Sequence, residues 1–168
     1  MYSLTKATDL LLKSYELWTN NSKVDKIIKY NTHKVRHTFW VLEVWRNLLI
    51  KIKENKEIPK ELINKAEICF ILHDTWRFYQ NDWNIVLENK DYDHWDKSYE
   101  IVKDNDYRED ICLAIKYHNK FEISWLFKEL AYISMSKQEQ QDTIFLLNIL
   151  KDADKIQRLL NSITGKSE

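Results

Sequence analysis

Apolar residues recur along this chain with the period of an α-helix. Leu4, Leu11, Leu12, Tyr15 and Trp18 mark one amphipathic helix, and Val35, Phe39, Leu42, Leu49 and Ile50 mark a second. Pro59 suits the first turn of a third, which continues through Leu62, Ala66, Cys69 and Phe70 to His73. A polar stretch from Asn81 to Asp93 reads as a loop, followed by a helix over Trp95 to Val102. Asp106 with Glu109 has the form of a capping box ahead of Ile111 to Tyr117, and Ser136 with Glu139 that of another ahead of a long last helix ending near Leu160. Strict alternation of apolar and polar residues, the mark of a half-buried strand, does not compete with these patterns. The pattern predicts an all-α protein, a compact helical bundle forming one domain over residues 1–168.

Composition sharpens this picture. The chain holds one Gly and one Pro in 168 residues, where ordinary Gly usage of about 7% would supply about a dozen. So little turn punctuation favours helices joined by polar loops. With 44% hydrophobic and 31% charged residues it reads as globular. Lys plus Arg and Asp plus Glu balance at 26 each, so bulk charge gives no pull toward nucleic acid or anionic lipid. Neither a leader peptide nor an apolar run of about 18 residues is visible, which predicts a cytoplasmic protein with no membrane partner. Cys69 and Cys112 fall in apolar helical patterns and read as buried, reduced thiols.

Candidate chemistry gathers at helix ends. His73-Asp74 closes the apolar run Ile68-Cys69-Phe70-Ile71-Leu72, putting an imidazole and a carboxylate side by side where a buried helix surfaces. That donor pair suits a divalent metal, and the carboxylate has a second oxygen for another ion. Of five histidines, His33, His73, His94 and His118 all fall at predicted helix termini; His37, one turn after His33, reads as second-layer or surface. The last helix carries Lys151-Asp152-Ala153-Asp154-Lys155 inside an apolar stretch, and something must satisfy those charges. Each residue alone has an ordinary explanation, in capping, core hydrogen bonding or surface ion pairs. Their order along the chain carries more weight than any one of them.

In that order the residues resemble an HD-domain metal-dependent phosphohydrolase. The segment Ile71-Leu72-His73-Asp74-Thr75-Trp76-Arg77-Phe78 resembles the family's LLHDIGRF, and His33-Lys34-Val35-Arg36 its opening HxxR helix. Asp93-His94 resembles the DH step, His118-Asn119-Lys120 the HNK step, and Leu150 to Ile156 the closing DADKL helix. The resemblance covers residues 30 to about 160. It implies that His33, His73, Asp74 and Asp154 hold a core metal, Asp154 rather than Asp152 because the family's ligand directly precedes the basic residue. It also implies that His94 and His118 are the additional ligands of a two-metal site bridged by Asp74.

Two ions about 3.5–4 Å apart can bind a phosphate, lower the pKa of a water and stabilise the leaving oxygen. Arg36, Arg77, Lys120 and Lys155 lie beside ligand positions and are candidates for phosphate contacts, Lys155 by its place in the motif. Imidazole-rich ligation points to Mn, Fe, Ni, Co or Zn ahead of Mg. The expected activity is hydrolysis of a nucleotide or similar small phosphoester. A di-iron oxygenase and a catalytically silent nucleotide-binding module are the alternatives; nuclease action fits poorly with the neutral charge.

Trp76 and Trp95 stand where the resembled motif often has Gly, and seven Trp accompany one Gly. An indole at 76 can narrow the pocket or offer a base-stacking wall. A third reading is that UGA encodes Gly in this gene, which predicts UGA codons at positions 76, 83 and 95. Trp18, Trp40, Trp45 and Trp125 read as core.

Overall fold

Helices make up the regular structure of the described residues, 3–20, 25–81, 94–120 and 123–164 of the computed structural model. In chain order they are α1 (Leu4–Asn20), α2 (Asp25–Lys53), α3 (Lys60–Leu72), a 3₁₀ segment (Thr75–Asn81), α4 (His94–Asp104), α5 (Glu109–Tyr117), a second 3₁₀ segment (Ile123–Lys128), α6 (Leu130–Ile133) and α7 (Lys137–Thr164). The described residues contain no strand, as the periodicity predicts.

Helices α3 and α5 form the centre because each carries a continuous apolar run, residues 68–72 in α3 and 111–115 in α5, with no polar face along it. Ala66, Ile68, Cys69, Phe70, Ile71 and Leu72 of α3 are buried, as are Ile111 to Ile115 of α5. Around them α2 contributes Val41, Leu42, Trp45 and Leu49, and α7 contributes Leu146, Leu147, Leu150 and Ala153. Trp45 stacks on Phe70 with ring centroids 5.5 Å apart, tying α2 to α3. Cys69 and Cys112 are buried free thiols, and burial raises both pKa values, that of Cys112 to about 12, so they pack as small apolar groups.

Several local expectations are corrected. Ser136 and Glu139 do close a capping box: Glu139 N donates to Ser136 Oγ at 3.3 Å and Ser136 N to Glu139 Oε2 at 3.0 Å. The Asp106–Glu109 box does not form. Asp106 takes up the left-handed conformation, φ 59°, in the turn leaving α4, and Arg108 is the N-cap of α5 without a side-chain cap. Asp tolerates that conformation better than most residues, so it makes the turn where a Gly would be expected. Pro59 is the N-cap of α3, just ahead of its first turn. Phe39 and Ile50 lie on the exposed flank of α2, and Trp125 is 60% exposed. The loop expected from Asn81 to Asp93 begins at the end of a 3₁₀ segment, and residues 82–93 lie outside the described ones. No described helix is long and apolar enough to cross a membrane.

Candidate metal centre

The two central helices deliver their C-terminal ends to one place. His73 is the C-cap residue of α3 and His118 that of α5. The last carbonyls of a helix lack intrahelical partners, and these imidazoles take one each: His73 Nδ1 lies 2.8 Å from Phe70 O and His118 Nδ1 2.6 Å from Ile115 O. A carbonyl only accepts, so Nδ1 carries the proton in both rings and Nε2 is left with a lone pair. Both Nε2 atoms are buried with no hydrogen-bond partner among the described residues. A buried lone pair with its other ring nitrogen anchored is the arrangement of a metal-ligating histidine. The negative ends of two helix dipoles add to the attraction for a cation.

The other donors come from the outer helices. Asp74 follows His73 directly, where Thr75 Oγ1 donates to Leu72 O at 2.7 Å and Arg77 N to Asp74 O at 2.9 Å, fixing the exit from α3. Asp74 Oδ2 stands 3.9 Å from Nε2 of both His73 and His37. His37 Nε2 lies 3.2 Å from Oδ1 of Asp154 on α7, while Asp154 Oδ2 takes Arg158 Nη2 at 2.6 Å. Among the described residues, the donor atoms of His37, His73 and Asp74 lie within 4.8 Å of one another, a spacing that can hold a metal ion.

Electrostatics puts these groups in the protonation states a cation needs. Burial would push the Asp74 carboxyl up, but the positive charge around it, that of Arg77 and Lys34 included, outweighs that and holds it well below the usual carboxylate range. Asp154 is likewise lowered against its burial, by His37, His73 and Arg158. Burial pushes the His73 imidazole down, and His118 down to about 4 with His73 beside it contributing. Ionised carboxylates beside neutral imidazoles are the ligand forms of both groups.

The structure therefore brings together four residues singled out from sequence: His73, Asp74, His118 and Asp154. Asp154 is buried and Asp152 exposed, so the choice between them follows their positions around α7. His33 lies half-buried one turn before the cluster, its ring edge-on to Trp40 at 6.5 Å. His37 occupies the cluster itself at 1% exposure, which removes the surface reading. The two histidines share a face of α2, so periodicity alone does not separate them. His94 opens α4, but its side chain lies outside the described residues.

The cations are also redistributed. Arg77 Nε is 3.6 Å from Asp74 Oδ1 and Lys34 Nζ 4.0 Å from Asp74 Oδ2. Lys120 turns instead to Asp96, 3.7 Å away. Arg36 is exposed, its guanidinium over the Trp40 ring at 6.0 Å. Lys155 is exposed too, since one residue is about 100° of rotation on a helix, and the cation that reaches Asp154 is Arg158, one full turn on. Lys34 and Arg158 are the cations sequence reasoning passed over; Arg158 had a signal in its i,i+4 relation to Asp154, whereas Lys34 meets Asp74 only through the fold.

The described residues form an all-α bundle with a buried His–Asp cluster, at the ends of its central helices, that could hold a metal ion. The family model of the HD domain matches residues 34–159, and the chain belongs to that family. No curated protein and no solved structure gave a significant match.

Proposed function

We propose that this protein is a metal-dependent phosphohydrolase acting on a small phosphoester, with a nucleotide as the favoured substrate class. The observation that carries the reading is the pair of buried, proton-free Nε2 atoms of His73 and His118 beside the ionised carboxylates of Asp74 and Asp154. In this reading His37, His73, Asp74 and Asp154 hold the first ion. His37 replaces His33 in that role because it lies in the cluster; the family match also begins at residue 34, after His33. His118 and His94 would be the candidates to hold a second ion. Three or more imidazoles favour Mn, Fe, Co, Ni or Zn over Mg.

A divalent ion held there supplies Lewis acidity to phosphate oxygens and to water. The residues of the chain do the rest. Arg77 and Lys34 flank Asp74 and present positive charge to an anionic substrate, Arg77 with planar donors and Lys34 as a point charge. These cations suit an anionic phosphate substrate. Trp76, half-buried two residues after Asp74, offers an indole on which a base can stack.

Metal analysis of protein purified without chelator tests the site, and turnover of a panel of mononucleotides, cyclic nucleotides and model phosphodiesters tests the chemistry. We expect bound divalent metal and phosphate release, both lost in Asp74→Ala. Two irons per chain with oxygen uptake and no phosphatase activity would overturn the hydrolase reading.

A further inference from the structure

The three imidazoles of the centre are not held alike. His73 and His118 sit at helix ends, where unclaimed carbonyls anchor Nδ1. His37 sits within the 29-residue α2, where the carbonyls one turn back serve the helix's own amides. Its Nδ1 instead lies 2.9 Å from Oε1 of Gln157 on α7, and both side chains are buried, at 1% and 3% exposure.

We infer that Gln157 is a positioning residue for the centre: its amide oxygen accepts the Nδ1 proton of His37 and so fixes that ring with Nε2 turned toward Asp74 and Asp154, where a cation would take its lone pair. This rests on the reading of His37 as a metal ligand. Gln157 follows Asp154 by three residues, so both occupy one face of α7, and the helix that supplies a carboxylate also orients the imidazole it meets. Turned over, the amide would donate to Nδ1 and leave the ring proton on Nε2, closing that donor to a cation. A neutral amide also orients the ring without the gain in basicity that a carboxylate partner confers.

The test uses zinc ion alone, added to the metal-free full-length protein in competition with a chromophoric chelator, together with nitrogen-15 spectra of the histidine rings in the zinc-loaded state. We expect Gln157→Leu to weaken zinc binding roughly 10–100-fold, with the Nδ1–H signals of His73 and His118 unchanged. Wild-type protein should show an exchange-protected Nδ1–H on His37. Zinc affinity in Gln157→Leu within twofold of wild type, or a His37 Nδ1 without a proton in the zinc-loaded wild type, overturns the role of Gln157 alone. If Gln157→Leu does not fold, the wild-type spectrum decides by itself. Failure of the wild type to bind zinc at all overturns the metal-centre reading, and this proposal with it.

Discussion

The rings of His73 and His118 meet edge to face, their centroids 5.3 Å apart and their planes crossed at 89°. Each is anchored to a carbonyl three residues back in its own helix, so the relative placement of the two Nε2 atoms is set by how α3 and α5 pack. The candidate metal donors are in this sense an extension of the core.

The choice between His37 and His33 gives the first prediction. His37→Ala should lower metal affinity by more than the roughly 10–100-fold typical of losing a second-layer partner, and His33→Ala should have a smaller effect. Chelator competition on both variants checks this, and the reverse order would return His33 to the core ligand set.

Away from the centre, Lys65 is buried between Asp110 and Asp142, with Nζ 2.8 Å from a carboxylate oxygen of each. Burial would lower its pKa, but those two partners raise it above 10.5. A raised folded value means that this contribution to stability is complete below pH 10.5 and is lost as pH climbs through the folded pKa. Lys65→Met removes one of the two cations at Asp110, Arg108 Nε remaining 3.3 Å from its Oδ1, and should cost less than the roughly 3–5 kcal/mol of a wholly uncompensated buried charge, with Asp110→Asn in the same chain restoring part of it. Urea unfolding at neutral and alkaline pH reads both effects.

Glu129 makes the opposite prediction. It accepts from Lys116 Nζ at 2.6 Å and from the Tyr117 hydroxyl, joining the end of α5 to the start of α6. Those two donors hold its pKa below 4.5 despite partial burial. Its contribution is therefore present above pH 4.5 and is lost as pH falls through the lower folded value. Glu129→Gln should be less stable than wild type at pH 7, with the gap closing under acid. A gap that stays constant in denaturation curves down to pH 3 would show that the ionised carboxylate is not the source.

Trp76 lies in a 3₁₀ segment, where its backbone N–H is 3.2 Å from Ser98 Oγ. Asp106 is the one non-Gly residue of positive φ among those described, so the backbone at 76 does not itself require Gly. Codons decide the matter: UGA at 76, 83 and 95 would make these positions Gly in the source organism, whereas UGG at all three would make the indoles genuine. Trp83 and the side chain of Trp95 lie outside the described residues.

Much of the fold was legible because its strongest elements repeat one instruction at every level. The apolar run into His73 predicts both the burial of α3 and where a polar pair must emerge. The Ser136–Glu139 box predicts the start of α7 because capping is local chemistry. Other features depend on contacts distant in sequence. His33 and His37 share one face of α2, and only their height against α3 and α7 distinguishes them, a difference of about 6 Å along the axis. Lys155 adjoins Asp154 in sequence but faces solvent, while Arg158 reaches it across a full turn. Gln157 carries no signal until His37, 120 residues earlier, is placed against it.

The main-chain anchors of His73 and His118 bear on how such a centre can drift. Every residue type carries a carbonyl, so substitutions at Phe70 or Ile115 that spare the helix leave those two ring orientations in place. The third imidazole depends on an amide that a single nucleotide change can remove or convert to a carboxylate. If variation among natural forms of this protein tunes how tightly the centre grips its cation without touching a ligand, position 157 is where that variation should be found.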